Sequence, residues 1–86
     1  MADKLKFDLV SPEKLVLSAD VDGVQVPGAE GDFGVLPNHS PVMAMLRAGT
    51  LTVENDGTSQ SFEIDGGFVD VTPEGVTVLA ETISPA

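Results

Sequence analysis

The 86-residue chain contains no cysteine, no tryptophan and no tyrosine. The missing thiols exclude disulfides, thiolate metal sites and thiol nucleophiles, and they suit a reducing cytoplasm. Without tryptophan or tyrosine the usual platforms for stacking bases are gone as well. Positive charge is scarce: Lys4, Lys6, Lys14 and Arg47 face fourteen acids, for a formal net charge of −10. Such a surface repels phosphate backbones and anionic lipid head groups, so nucleic acid and membrane surfaces are not expected partners, whereas a basic protein surface is. No apolar stretch approaches the roughly 18 residues that cross a bilayer. "MADKLKFDLV" carries acids within its first eight residues and no apolar run of signal length, so no signal or transit peptide is expected. Hydrophobic residues still make up 42% of the chain, too many for a disordered acidic tail. The length predicts a single domain over residues 1–86. A chain this short buries only about 60–65% of its unfolded surface, which leaves little stability to spare.

What is present is period-two alternation. In "KLKFDL" Leu5, Phe7 and Leu9 share one face and Lys4, Lys6 and Asp8 the other. In "SFEID" Phe62 and Ile64 alternate with Glu63 and Asp65, and in "GVTVLAE" Val76, Val78 and Ala80 oppose Thr77, Leu79 and Glu81. These patterns predict half-buried strands. Turn residues separate them at 11–14 ("SPEK"), 22–23 ("DG"), 55–57 ("NDG"), 66–67 ("GG") and 72–75 ("TPEG"). Asp56-Gly57, between "LTVE" and "SQSFEI", is the strongest hairpin signal. The even spacing of strands and turns predicts an all-β sandwich or barrel, with Phe7, Val24, Val26, Phe62, Ile64, Val69, Val71, Val76 and Val78 in the core. The stretch "SPVMAMLRAG", 40–49, has helix-like ends in its Ser-Pro start and Gly stop. Val42, Ala44 and Leu46 alternate with Met43, Met45 and Arg47, however, and the alternation favours a strand.

The candidate sites are few. "SADVDG" places Ser18, Asp20, Asp22 and Gly23 as in the first half of a calcium loop, but Ala29 stands where a bidentate glutamate is needed. A strand-to-strand turn explains it better. "GAEGDFG", 28–34, has the glycine spacing of a phosphate cradle, yet Glu30 and Asp32 sit inside it and no lysine follows. Glu30 and Asp32 could form a catalytic carboxylate pair, but that chemistry needs one pKa raised by burial, and a glycine-rich loop is normally wet. His39, the sole histidine, has Ser40 beside it and no third member of a triad. Neither a metal, a cofactor, a nucleotide nor catalysis is expected. Residue chemistry alone describes an acidic all-β docking module.

The order of the motifs is more specific than any one of them. The chain runs Glu30, Gly31, Asp32, Phe33, Gly34, then Leu36, Pro37, His39, Pro41 and Gly49, then Gly66-Gly67-Phe68-Val69-Asp70-Val71 and Val76-Thr77-Val78-Leu79-Ala80-Glu81. Over residues 5–82 this resembles the N-terminal domain of the epsilon subunit of rotary (F-type) ATP synthases, whose mitochondrial counterpart is called delta. The resemblance implies a flattened ten-stranded β-sandwich at the foot of the central stalk. It implies a non-catalytic subunit that docks gamma onto the c ring and couples rotation to ATP synthesis in a proton-translocating enzyme. That enzyme would lie at the bacterial inner membrane, with this subunit peripheral on the cytoplasmic side and not inserted in the bilayer. Glu30, Asp32, Phe33 and His39 match the segment that meets the basic, polar loops of the c ring, with Asp32 on an acidic contact position. Ser11 and Ala44 match positions that face gamma. Pro37 and Pro41 stiffen the exit from the loop. Family members continue past the "VLAE" strand into a C-terminal helical hairpin that inhibits hydrolysis and in some binds ATP. No hairpin is expected within these residues, so those two functions do not carry over. The rival expectation is an acidic β-sandwich adaptor that regulates an unrelated complex.

Overall fold

The alternating stretches all become strands in the computed structural model, which describes residues 4–37 and 40–85. In chain order these are β1 (Leu5–Val10), β2 (Leu15–Val21), β3 (Gly23–Val26), β4 (Phe33–Val35) and β5 (Val42–Leu46), then β6 (Gly49–Asn55), β7 (Thr58–Ile64), β8 (Gly67–Val71), β9 (Gly75–Ala80) and β10 (Ile83–Pro85). There is no helix among the described residues. The strands form two five-stranded sheets, ordered β2-β1-β9-β8-β5 and β10-β7-β6-β3-β4. Strands β1 and β9 run parallel, and the other neighbours run antiparallel. The result is the ten-stranded sandwich that the resemblance implied. The chain crosses from one sheet to the other at Asp22, between β2 and β3, so "DVDG" is the strand-to-strand connection rather than a calcium loop.

All nine residues expected in the core are buried. Leu5, Leu9, Val21, Val35, Leu46, Leu51, Val53 and Ala80 join them. Phe7 is fully enclosed and Phe62 is only 7% exposed. Each such side chain contributes roughly 1.5–3 kcal/mol by leaving water. No polar or charged side chain is buried among the described residues, so the inner faces meet as a purely apolar layer.

The β6–β7 hairpin turns on Asp56 and Gly57, with φ of 54° and 79° and Asn55 paired to Thr58. Positive φ at both central residues defines the type I′ turn, whose twist matches that of the strands it joins. Residues 40–49 resolve in favour of the strand. Val42 and Ala44 are half-buried and Leu46 buried on one side of β5, while Met43 and Met45 stand out on the other. The helix-like ends lost because only an extended segment can put Val42, Ala44 and Leu46 over one sandwich core.

Candidate functional site

Two surfaces meet at one end of the sandwich, and strand β5 belongs to both. The first is the loop between β3 and β4. Its base is sewn to β5 by backbone: the Arg47 N–H donates to Pro27 O and the Ala29 N–H donates to Met45 O, each at 2.9 Å, around a bridge between Gly28 and Leu46. The Gly31 N–H then donates to Gly28 O at 3.1 Å and closes the turn. Gly28 is required by space. A Cβ there would lie 2.4 Å from Gly31 O and 3.2 Å from the Phe33 ring. Gly28 therefore serves close packing inside the loop and Gly31 supplies a φ of 142°, so no phosphate cradle is needed to explain them.

The charged side chains of this loop differ in kind. The Arg47 guanidinium donates to Asp32 Oδ1 and also to Ala48 O at 3.1 Å. Glu30 is exposed at the tip and holds no ion pair among the described residues. Asp32 is thus ion-paired and Glu30, among the described residues, is not. Phe33 is half-buried, packed against the core with its ring over Gly28, so it supports the loop from beneath. His39 lies outside the described residues. A shallow groove of about 430 Å³ runs between this loop and β5, lined by Gly28 to Gly31, Phe33 and Met43 to Met45.

The second surface is the outer face of the β2-β1-β9-β8-β5 sheet. Register pairs Met45 with Phe68, Phe68 with Leu79, Leu79 with Val10, and Val10 with Leu15. Directly paired residues share a face, so five apolar side chains form one row across five strands. Met45, Leu15 and Phe68 are 66%, 56% and 37% exposed, and Met43, one step along β5, is 72% exposed. Large apolar side chains gathered in this way on a small domain mark an interaction surface. The adjoining row is polar: Met43 pairs Asp70, Asp70 pairs Thr77, Thr77 pairs Asp8, and Asp8 accepts a 2.6 Å hydrogen bond from the Ser18 hydroxyl. The face therefore joins an apolar stripe to an acidic one.

Ser11 follows Val10 at the edge of the apolar row, in a turn closed by its N–H to Lys14 O at 2.9 Å. Pro12, next to it, lines a small groove with Phe68 and Leu79. Ala44 adjoins the row from β5, but its methyl packs against the core, and its neighbours Met43 and Met45 present the exposed surface. Ser11 thus lies at the edge of the row, and Ala44 lies behind the row rather than in it. Arg47, Met45, Phe68 and Leu79 carry more of the two surfaces than their sequence positions suggested. The alternation grouped Met43 with Met45 on one side of the strand, but only the pairing of β5, β8, β9 and β1 aligns them with Phe68 and Leu79.

Asp22, from the calcium-like segment, is held by Lys4 Nζ at 2.7 Å and accepts the Asp56 N–H at 2.7 Å. Among the described residues no group of three or more His, Cys, Asp or Glu side chains converges as metal ligands would, and no helix is long and apolar enough to cross a membrane.

With this geometry, residues 4–86 match the family model described as the ATP synthase delta/epsilon chain β-sandwich domain. The chain is 59% identical over 78 residues to an ATP synthase epsilon chain of Caulobacter vibrioides, covering 91% of each. It is 58% identical over 81 residues to that of Maricaulis maris, covering 94% of this chain and 61% of the relative. Among solved structures, a chain in the mitochondrial ATP synthase of Euglena gracilis, an OSCP/F1/c-ring assembly, superposes with a TM-score of 0.92 at 25% identity, over 99% of this chain and 55% of that one. The chain therefore spans nearly the whole of one relative and rather more than half of the other two proteins.

Proposed function

The chain belongs to the ATP synthase delta/epsilon family, as its β-sandwich domain, and from that premise we propose that it is a non-catalytic part of the central stalk that docks gamma onto the c ring. The observation that carries this reading is the pair of adjoining surfaces at one end of a stiff sandwich. A part that couples rotation needs two contacts and little compliance between them. The apolar row Met45–Phe68–Leu79–Val10–Leu15, with Ser11 at its edge and Ala44 behind it, is the gamma-facing surface. The loop over residues 28–34 is the ring-facing one, with Glu30 foremost, Asp32 behind it, Phe33 as its floor and His39 on the segment that follows.

The chemistry of each surface suits its assigned partner. An apolar row with an aromatic near its centre supports a lasting contact, because desolvated aromatic anchors carry most interface energy. An exposed acidic loop suits basic and polar ring loops, and it guides docking more than it adds affinity. A loop already sewn to β5 loses little ordering entropy when it meets the ring. The setting would be a proton-translocating ATP synthase of a bacterial inner membrane, with this domain on the cytoplasmic side and outside the bilayer. The named relatives are ATP synthase epsilon chains and lend no support to a free-standing adaptor.

The test is recovery from detergent-solubilised membranes of the source organism on the immobilised chain, followed by mass spectrometry. Gamma and the c subunit should be recovered together. Recovery of an unrelated complex without either would overturn the proposal.

A further inference from the structure

We infer that Arg47 is a positioning residue for the acidic loop: its side chain clasps Asp32, and this ion pair, rather than a direct contact of Asp32 with a partner, is what the loop requires of both residues. The inference rests on the reading above that the loop over 28–34 meets the c ring, and it changes how the loop's charges are assigned.

Three features converge on Arg47. Its N–H donates to Pro27 O at the base of the loop, its guanidinium donates to Asp32 Oδ1 near the end of the loop, and the same guanidinium donates to Ala48 O at 3.1 Å. The residue that follows β5 therefore holds the loop where it leaves β3 and again just before it enters β4. Between those points Ala29 and Gly31 donate their N–H groups to Met45 O and Gly28 O, and Glu30 projects between them. The geometry of Glu30 is set by its two neighbours, and theirs by the clasp and the backbone bonds. Asp32 is 58% exposed and Arg47 50%, so water screens the pair and its strength is modest. Modest strength is enough for a loop of this size, since the backbone bonds supply the rest.

Charge adds a second argument. Only four side chains in the chain are cationic. An acidic tip built solely to attract a basic surface gains nothing from a cation beside one of its two carboxylates, because the pair is nearly neutral at a distance. Placing one of the four at Asp32 makes sense if Asp32 maintains shape and Glu30 supplies the outward charge.

The two readings predict opposite signs for Arg47→Ala. That change makes the tip more negative. If attraction alone mattered, Arg47→Ala would bind a detergent-solubilised ring–gamma assembly more tightly. The clasp predicts weaker binding, by about three- to fivefold, the range corresponding to an exposed ion pair. Amide hydrogen exchange reads the loop directly: the N–H groups of Ala29 and Gly31 should exchange about three- to fivefold faster in Arg47→Ala and in Asp32→Ala, while Val69 and Val78 keep their protection. The charge-swapped double variant, Asp32→Arg with Arg47→Asp, should restore both the protection and the binding. Unchanged protection at Ala29 and Gly31 in Arg47→Ala, or tighter ring binding by it, would overturn the clasp. Protection lost in the single variants and restored in the double, with ring binding the same throughout, would uphold the clasp and overturn the ring-docking reading instead.

Discussion

Lys4 draws together residues that are distant in sequence. Its Nζ lies 2.7 Å from Asp22 Oδ1, 3.0 Å from Asp56 Oδ1 and 2.7 Å from Asn55 Oδ1. It thereby ties the start of β1 to the crossing between the sheets and to the β6–β7 turn, at the end of the sandwich away from Arg47. Hydrogen bonding from Lys4, and then from the Asp56 N–H, holds the Asp22 carboxyl below the usual carboxylate range, while the bond to Asp22 raises Lys4. The signs follow from linkage. The Asp22 contribution is present above the ordinary carboxyl value of about 4 and is lost as pH falls through the lower folded value. The Lys4 contribution is present below the ordinary lysine value of about 10.4 and is lost as pH rises through the higher folded value. Asp22→Asn should therefore lower the melting temperature at pH 7, and the gap from the unaltered protein should narrow steadily as pH falls below about 4. A gap that stays constant over that range would show that the carboxylate charge is not what Lys4 stabilises.

At the scale of elements, stability lies in the apolar layer between the sheets. Phe7 on β1 is fully buried, so Phe7→Ala should cost about 3–5 kcal/mol. A domain of this size has roughly 5 kcal/mol in all, so urea titration should find the variant largely unfolded before denaturant is added. A near-normal midpoint would mean that the core closes around the missing ring. The strands that carry this layer were legible because alternation is local: Leu5, Phe7 and Leu9 differ from their neighbours wherever they sit in the molecule. The β6–β7 hairpin was legible for the same reason, since Asp-Gly at its tip adopts the required positive φ with little strain. Partnership was not legible. The parallel pairing of β1 with β9 joins opposite ends of the sequence, and no local pattern encodes it. The three-residue strands β4 and β10 are too short for alternation to register, and the ten-strand count came from family resemblance. The acidic loop was visible as a loop with two carboxylates, but the clasp was not. Arg47 read only as one member of an alternating stretch, and only the fold brings it against Asp32.

Taken whole, the molecule is an apolar sandwich with two proposed recognition surfaces that meet at β5. One is apolar and suited to a lasting contact, and the other is charged and suited to guided docking. They should respond differently to salt. Glu30→Lys should weaken association with the ring at low ionic strength, and its deficit should shrink as salt rises, because exposed charges are screened over about 8 Å at physiological ionic strength. A deficit independent of salt would point to a steric role for that side chain. The apolar row should show no such dependence.

The most direct test concerns that row. Phe68 lies near its centre, on the outer face and 37% exposed, so Phe68→Asp should leave the sandwich folded while placing a charge in the middle of the proposed gamma contact. The measurement is the affinity of purified gamma for the unaltered chain, for Phe68→Asp and for Glu30→Lys, with the melting temperature of each recorded alongside. Phe68→Asp should weaken gamma binding by about tenfold or more, as expected for a central aromatic anchor. Glu30→Lys should leave gamma binding unchanged. If Phe68→Asp melts as the unaltered protein does and binds gamma equally well, gamma does not dock on this face, and the account of a two-surface coupling element fails.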